Sequence, residues 1–170
     1  MDLKQYIRDI PDFPKKGIIF KDITTLLKEP APFKYAIDSI VNKYKDKNIN
    51  KVVSVEARGY IFGGVLAYNL NCGFVPVRKP GKLPSETFAM EYTLEYGTNT
   101  IEIHKDALKT DERVLIFDDL LATGGTVQAT CQLVEKLGAK IIGCAFLINL
   151  TFLKGSEKLK GYDIFSLIEY

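Results

Sequence analysis

Apolar positions recur at helical spacing between residues 31 and 47, in APFKYAIDSIVNKYKDK. Lysines and other polar residues occupy the positions between them. The recurring side chains are Phe33, Ala36, Ile37, Ile40, Val41 and Tyr44. A stripe of this period predicts an amphipathic helix with one face on a core.

Further along the chain, short apolar runs alternate with helical patterns. Strands are predicted at KVVSV (51–55), GFVPVRK (73–79), RVLIFDD (113–119) and AKIIGCAFLINL (139–150), and helices at YIFGGVLAYNL (60–70) and TGGTVQATCQLVEKLG (123–138). EARG (56–59) reads as a turn, and Gly138 ends the second helix. Two strand-helix-strand units predict an α/β fold with a mostly parallel central sheet flanked by helices on both faces.

Residues 79–92, KPGKLPSETFAMEY, separate the two units and contain two prolines and a glycine without a steady period. This composition predicts a flexible loop, and loops of such length in compact domains are more often functional than simple connectors. The chain of 170 residues is 46% hydrophobic, which is enough for one core. We therefore expect residues 1–170 to form a single domain.

Charge and cysteine content narrow the class of protein. The chain has 23 basic and 21 acidic side chains, a balance that argues against a nucleic-acid partner. Cys72, Cys131 and Cys144 are far apart among apolar residues, which is typical of reduced thiols and not of a disulfide framework or a zinc site. The N-terminal residues contain no signal-like apolar core, and no window approaches the length of a membrane span. We expect a cytoplasmic protein that does not bind membranes.

The stretch VLIFDDLLATGGT, residues 114–126, carries the candidate chemistry. In open parallel sheets, ligands bind beyond the carboxyl ends of the strands, where Asp118 and Asp119 are expected. The Thr-Gly-Gly-Thr turn at 123–126 then opens a helix, and the N–H groups and dipole of a helix N-terminus favour a phosphate. Adjacent carboxylates repel phosphate but accept hydrogen bonds from hydroxyls or bind Mg²⁺. A ribose 5-phosphate satisfies both halves of the stretch.

Two other nucleotide-binding classes lack their motifs here. A P-loop NTPase requires G-x-x-x-x-G-K-[ST], and a dinucleotide-binding fold requires G-x-G-x-x-G after a strand. Neither motif occurs in the sequence.

VLIFDDLLATGGT resembles the phosphoribosyl pyrophosphate motif of type I phosphoribosyltransferases. Other segments resemble, in order and spacing, the members of that family that act on adenine; they are FPKKGIIFKDITTLL, VEARGYIFG, VRKPGKLP and LEYGTNTIEIHKDAL. The resemblance covers nearly the whole chain. It implies the type I phosphoribosyltransferase fold, a small base-binding hood within residues 1–30 and a lid over residues 79–92. It also implies a homodimer.

The activity implied by the resemblance is Mg²⁺-dependent transfer of the 5-phosphoribosyl group from phosphoribosyl pyrophosphate to adenine N9, a purine salvage reaction that yields AMP and pyrophosphate. The ribose 5-phosphate would contact Asp118, Asp119, Ala122, Thr123, Gly124, Gly125 and Thr126. The pyrophosphate would contact Glu56, Ala57, Arg58, Gly59, Arg78, Lys79 and Lys82. Arg58 is also a candidate catalytic residue, because the leaving pyrophosphate carries negative charge that a planar guanidinium can bind. The substrate itself would hold most of the Mg²⁺ coordination, with Asp118 or Asp119 as the candidate protein ligands.

The resemblance also assigns the adenine site. Phe20 would stack on the base, backbone groups of Ile19 and Lys21 would read its edge, and Leu150 would cover the other face. The family commonly has Arg at the position of Lys21, and some relatives have Glu at the position of Asn149.

One further residue completes the implied site. Glu95 would act as a catalytic acid near purine N7. His104, the single histidine, is expected to be an exposed strand residue without a catalytic role.

Two alternative functions stay open at this point. The first is a phosphoribosyltransferase for hypoxanthine, guanine or xanthine, whose 6-oxo group is an acceptor where adenine has an amino donor. The second is a regulator that binds phosphoribosyl pyrophosphate without catalysis. The presence of the pyrophosphate turn, basic loop, hood and Glu95, without an added DNA-binding region, favours the enzyme.

Overall fold

The computed structural model describes residues 1–94 and 97–170. The strands in this part of the chain are β1 (Arg8–Pro11), β2 (Ile19–Asp22), β3 (Lys51–Val55), β4 (Gly73–Val77), β5 (Thr87–Leu94), β6 (Gly97–His104), β7 (Arg113–Leu121), β8 (Lys140–Asn149) and β9 (Ile164–Glu169). The α-helices are α1 (Thr24–Leu27), α2 (Pro30–Tyr44), α3 (Gly59–Asn69) and α4 (Gly125–Lys136). Short 3₁₀ helices lie at Leu3–Tyr6, Thr151–Leu153 and Gly155–Leu159.

The central sheet has five strands in the order β4-β3-β7-β8-β9, and every neighbouring pair is parallel. The predicted strands at 51–55, 73–79, 113–119 and 139–150 are β3, β4, β7 and β8, so the predicted parallel α/β fold is confirmed. The fifth strand, β9, is absent from our sequence prediction. Most of its residues are only half-buried, so its pattern lacks the continuous apolar run that identifies a central strand.

Two apolar layers cover the faces of this sheet. The first lies under α2 and α3, where the Phe62 and Phe117 rings stack with centroids 5.4 Å apart. The second lies under α4 and includes Ile116 and Phe146, both fully buried. Complete burial of each such side chain contributes about 1.5–3 kcal/mol, so the sheet is a rigid support for the residues at its edge.

A buried hydroxyl ties the carboxyl ends of two central strands together. Ser54 on β3 donates a hydrogen bond to the Phe117 carbonyl on β7, at an oxygen distance of 3.0 Å. Helix α3 packs so closely at this point that a Cβ on Gly63 would collide with the Ser54 side chain. The turn that follows β3 is therefore held beside the residues that follow Phe117.

The predicted loop over residues 79–92 is only partly a loop. Residues 87–92 belong to β5, which pairs antiparallel with β6, so the prediction was wrong for that part. Phe88, Met90 and Tyr92 are half-buried and alternate with exposed residues, a strand period that the prolines upstream obscure in the sequence. Only residues 79–86 lie outside a strand.

His104 ends β6 but is half-buried, and its Nε2 atom is inaccessible. The predicted strand position is correct, and the predicted exposure was wrong. Its neighbour in the same strand, Ile103, is fully buried in the layer under α4, so the end of β6 is drawn into the core.

The N-terminal residues form an antiparallel hairpin of β1 and β2. Arg8 donates hydrogen bonds from its guanidinium to Asp22, and Lys21 Nζ lies 2.7 Å from Asp9 Oδ1, so each strand carries both signs of charge. The Thr24 N–H and then the Arg8 guanidinium lower the pKa of Asp22 to about 2. This hairpin is the part of the chain for which a hood was expected.

None of the helices in the described residues is both long and apolar enough to cross a membrane.

Candidate active site

The carboxyl ends of β3 and β7 open into one cavity of about 220 Å³. Because the two strands are parallel neighbours, the turn at 56–59 and the residues after Phe117 meet at the same edge of the sheet. The cavity is lined by Val55, Glu56, Ala57, Arg58, Lys79, Tyr92, Ile101, Asp118, Asp119, Leu120 and Thr126. Acidic and basic groups therefore converge on a space that suits a polar ligand.

The two adjacent carboxylates have different environments. The Asp119 side chain is 7% exposed, and its Oδ2 atom lies 2.8 Å from Arg58 Nε. This contact is electrostatic, because Oδ2 has no hydrogen-bond partner among the described residues. Asp118 is half-buried, and its Oδ1 accepts a hydrogen bond from the Asp119 N–H at 3.0 Å. Asp119 thus offers a buried acceptor oxygen to a donor from outside the chain.

Burial is the largest influence on both acids. It raises the pKa of Asp118 well above its ordinary value, and the negative charge of Asp119 raises it further. Burial also raises the pKa of Asp119, although the Arg58 guanidinium opposes the shift. A buried and a half-buried carboxylate with one nearby cation favour ligands that bring hydroxyl donors or positive charge.

The turn at 122–125 leads directly into α4. Gly124 precedes the helix with φ +79°, a left-handed conformation that favours glycine. A Cβ on Gly124 would collide with the carbonyl oxygen of Gly155, and a Cβ on Gly155 would collide with that of Ala122. Backbone packing therefore fixes the turn, and the first N–H groups of α4 point away from the helix without intrahelical partners, as an anion site requires.

The predicted pyrophosphate turn is organised by Glu56. Its carboxylate accepts hydrogen bonds from Arg78 Nε at 2.7 Å and from the Lys79 N–H at 2.9 Å. Burial pulls the pKa of Glu56 upward, but the Lys79 N–H and Arg78 outweigh it, so the pKa is lowered. The Glu56–Ala57 peptide is cis. Glu56 is therefore an ionised anchor for its basic neighbours.

The three predicted loop cations differ in placement. Lys79 lines the cavity, whereas Arg78 is engaged by Glu56 and donates from Nη1 to the Lys82 carbonyl at 3.1 Å. Lys82 is exposed, and its side chain is absent from the cavity lining in the described part of the chain. Arg78 thus links the turn at 56–59 to the loop at 79–86.

A second cavity of about 420 Å³ lies against the hairpin. It is on the other side of the turn at 122–125, which we call the phosphate turn because the sequence predicts a phosphate site there. Its walls are mostly apolar and comprise Gly17, Ile18, Ile19, Lys21, Thr123, Leu150, Phe152, Leu153 and Tyr170. Thr123 lines this cavity and Thr126 lines the first, so the phosphate turn separates them. An apolar slot of this kind suits a planar base.

Phe20 lies apart from the lining of the second cavity. Its ring is 5.0 Å from the Arg58 guanidinium carbon and meets Phe13 edge to face at 5.2 Å. Because side chains alternate along β2, Ile19 and Lys21 face the second cavity while Phe20 faces Arg58.

The structure places some of the predicted site residues in the walls of the two cavities and others outside them. The first cavity collects Glu56, Ala57, Arg58, Lys79, Asp118, Asp119 and Thr126, and the second collects Ile19, Lys21, Thr123 and Leu150. The remaining predicted residues lie behind or beside these walls; they are Phe20, Gly59, Arg78, Lys82, Ala122, Gly124 and Gly125. Glu95 lies outside the described residues.

Sequence reasoning missed Phe152 and Tyr170 in the second cavity and Tyr92 in the first. Tyr92 was assigned to the loop, and Tyr170 follows the unpredicted strand β9. A prediction of β9 beside β8 would have placed Tyr170 next to Asn149, since the two strands are parallel.

A divalent cation fits the first cavity only with help from a ligand. In residues 1–94 and 97–170, no group of three or more His, Cys, Asp or Glu side chains could hold a metal ion by itself. The unpartnered Oδ2 of Asp119 and the neighbouring Asp118 are hard oxygen donors, which Mg²⁺ accepts alongside phosphate oxygens and water.

Comparisons with known proteins show the family to which this chain belongs. A family model described as the phosphoribosyl transferase domain matches residues 22–168. The adenine phosphoribosyltransferase of Halothermothrix orenii is 57% identical over 99% of both chains. The crystal structure of adenine phosphoribosyltransferase from Thermoanaerobacter pseudethanolicus superimposes with a TM-score of 0.96 at 55% identity, covering 99% of this chain and 98% of that one.

A third relative was solved with ligands. The Saccharomyces cerevisiae adenine phosphoribosyltransferase, complexed with an imino-altritol bisphosphate and adenine, has a TM-score of 0.91 at 40% identity and covers 97% of this chain and 96% of its own. Since the family model and all three relatives span most or nearly all of the sequence, this chain belongs to the phosphoribosyltransferase family, among relatives named adenine phosphoribosyltransferase.

Proposed function

We propose that this protein transfers the 5-phosphoribosyl group of phosphoribosyl pyrophosphate to adenine N9, forming AMP and pyrophosphate. The observation that carries the chemistry is the buried carboxylate oxygen of Asp119, which is ion-paired with Arg58 but accepts no hydrogen bond from the described residues, at the edge where α4 presents its N-terminus. Adenine as the base is supported by full-length relatives that carry this activity in their names.

The ribose 5-phosphate is held by the stretch 118–126. The phosphate accepts hydrogen bonds from N–H groups at 123–126, and the left-handed Gly124 lets the backbone approach it closely. The ribose 2- and 3-hydroxyls donate to Asp118 and Asp119, which satisfies the buried oxygen of Asp119. One strand end and one helix start thus orient the anomeric carbon.

Bond cleavage leaves positive charge on the sugar ring and negative charge on pyrophosphate. Arg58 and Lys79, both in the wall of the first cavity, supply the opposite charge to the leaving group. Asp118 or Asp119 would be the candidate ligands in the chain for Mg²⁺, which would supply further neutralisation of the negative charge on the pyrophosphate. The Arg58 contact with Asp119 keeps the guanidinium in the cavity before substrate arrives.

Adenine occupies the second cavity, whose apolar walls exclude water from the base. Leu150 contacts the base, and backbone groups of Ile19 and Lys21 read its edge. Phe20 lies beside Arg58 and outside the lining of this cavity, so stacking of Phe20 on the base stays a prediction from the sequence. Glu95 as the acid near N7, a homodimeric assembly and a cytoplasmic location stay predictions from the sequence.

The test is a substrate panel. Purified protein is incubated with phosphoribosyl pyrophosphate and Mg²⁺, adenine, hypoxanthine, guanine and xanthine are offered separately, and nucleotide and pyrophosphate are quantified. Gly124→Ala is assayed beside Gly161→Ala. Both glycines have positive φ, +79° and +101°, but a Cβ at 161 meets open space while one at 124 collides with Gly155.

AMP and pyrophosphate in equal amounts, from adenine alone, are expected. Gly124→Ala should lose most activity, whereas Gly161→Ala should keep it, because the two changes share backbone strain but only the first displaces the phosphate turn. Turnover of a 6-oxopurine without adenine turnover would refute the base assignment. Binding of phosphoribosyl pyrophosphate without turnover of any base would favour the regulator.

A further inference from the structure

Tyr170 is fixed by its backbone at the end of the central sheet. Its N–H donates to the Asn149 carbonyl at 3.0 Å, and its own carbonyl accepts from the Thr151 N–H at 2.9 Å and from Thr151 Oγ1 at 2.6 Å. These bonds join Tyr170 to the residues that follow β8. The position of its ring is therefore set by the rigid part of the fold.

Two lysines approach this ring from the N-terminal region. Lys21 Nζ lies 3.7 Å from the ring centroid and Lys4 Nζ lies 5.2 Å from it. Lys21 also pairs with Asp9 on β1 at 2.7 Å, and its side chain is only 11% exposed. A cation that is shielded from water interacts more strongly with an aromatic face than an exposed one, so the Lys21 contact is the stronger of the two.

The contact between Lys21 and Tyr170 spans the second cavity. Both side chains line it, together with Ile19 from the same strand and Leu150 from the sheet side. Lys21 belongs to β2 of the hairpin, whereas Tyr170 is bonded to the central sheet. The pair therefore connects the two-stranded hairpin on one side of the cavity to the central sheet on the other side. An isolated two-stranded hairpin is only marginally stable, so this connection helps to hold it in place.

The phenol of Tyr170 stays neutral around pH 7. Burial raises the pKa of Tyr170, and the nearby carboxylates of Asp9 and Asp2 raise it further. A neutral ring retains the electron-rich face that attracts an ammonium group. The attraction is consequently present throughout the neutral pH range.

We propose that Tyr170 is a positioning residue for the base: through Lys21 it holds β2 at the distance from Leu150 that a bound purine requires. The inference rests on the proposed function, because it assigns the second cavity to adenine. It predicts that loss of the contact weakens adenine use and leaves phosphoribosyl pyrophosphate use nearly unchanged, since the turn at 122–125 is fixed by backbone packing against Gly155 and not by Lys21 or Tyr170.

The test compares four variants with the wild type by steady-state kinetics, with each substrate varied in turn. Tyr170→Leu removes the aromatic face, and Lys21→Met removes the cation while keeping an unbranched side chain. Tyr170→Phe keeps the face. Lys4→Met is the matched control, because Lys4 contacts the same ring but is outside the cavity lining in the described residues.

Tyr170→Leu and Lys21→Met should each raise KM for adenine by roughly three- to thirtyfold, the range expected for a partly desolvated cation–π contact. KM for phosphoribosyl pyrophosphate should change by less than about twofold, in line with an unaffected phosphate turn. Tyr170→Phe should resemble the wild type, and Lys4→Met should shift either KM by less than about twofold. Thermal unfolding shows whether each variant folds. If Tyr170→Leu does not fold, Lys21→Met alone is compared with the wild type.

Unchanged adenine KM in both Tyr170→Leu and Lys21→Met would overturn the inference, as would equal increases in both KM values. An adenine KM for Tyr170→Phe as high as that for Tyr170→Leu would also overturn it. These results differ from failure of the proposed function, in which the wild type itself forms no AMP from adenine.

Discussion

Replacing Asp119 by Asn should stabilise the folded protein and lower its catalytic activity. The substitution keeps the shape of a side chain that is 7% exposed but removes its charge. In the folded protein burial raises the pKa of Asp119, and burial followed by the Asp119 charge raises the pKa of Asp118. Folding therefore favours the protonated acids, and stability falls as pH rises from the ordinary carboxyl pKa through the raised values.

The wild type carries more of this cost at pH 8 than at pH 4. Removing one charge should raise the free energy of unfolding at pH 8 by about 1–2 kcal/mol, the gain typical when a functional site loses a destabilising group. For a chain of this size that corresponds to a midpoint higher by about 2–8 °C. Loss of the ion pair between Arg58 and Asp119 lowers the free energy of unfolding only slightly, because the Arg58 side chain is 35% exposed and can be solvated.

Activity should change in the opposite direction. A hydrogen bond to a charged acceptor contributes about 1.5–3 kcal/mol, so kcat/KM for phosphoribosyl pyrophosphate should fall by about ten- to 150-fold. Thermal melts by circular dichroism between pH 4 and 8 give the stability difference. Asp38→Asn is the control, since Asp38 forms an exposed pair with Lys34 and should shift stability by no more than about 0.5 kcal/mol. A lower midpoint for Asp119→Asn at pH 8, or a difference that does not grow with pH, would refute the reasoning.

Two other substitutions test the walls of the site. Glu56→Gln removes the charge that holds Arg78 and Lys79, so KM for phosphoribosyl pyrophosphate should rise by about three- to tenfold while KM for adenine stays within about twofold, as initial rates would show. Because the pKa of Glu56 is lowered, its contribution to stability is complete above the ordinary carboxyl pKa and is lost progressively as pH falls from there through the lowered value. A stability difference between the wild type and Glu56→Gln that declined first at pH 6 would contradict this. Phe20→Leu tests the stacking predicted from the sequence: if Phe20 stacks on the base, KM for adenine should rise by about fivefold or more, and an unchanged value would assign Phe20 to support of Arg58 alone.

Local patterns made much of the fold predictable. Strands β3, β4, β7 and β8 are apolar runs bounded by turn residues, and α2 has a clear helical stripe, so each could be identified from its own residues. Strand β5 was hidden because its alternation at Phe88, Met90 and Tyr92 follows a proline-rich segment. Strand β9 is half-buried at the sheet edge, where the apolar signal is weak.

The phosphate turn could be predicted for the same reason, since its strand, acids and glycines are contiguous. The contact of Arg58 with Asp119 could not, because it depends on β3 lying beside β7. Tyr170 reaches the second cavity only through the pairing of β8 with β9. Contacts between distant segments are set by topology, which a single sequence does not display.

The most direct measurement of the central claim is a crystal structure of the protein with AMP and pyrophosphate. The account predicts the 5-phosphate on the N–H groups of residues 123–126, the ribose hydroxyls within hydrogen-bond distance of Asp118 and Asp119, and the base in the cavity between Ile19 and Leu150. A phosphate bound elsewhere, with no ribose hydroxyl at the Asp119 carboxylate, would contradict it.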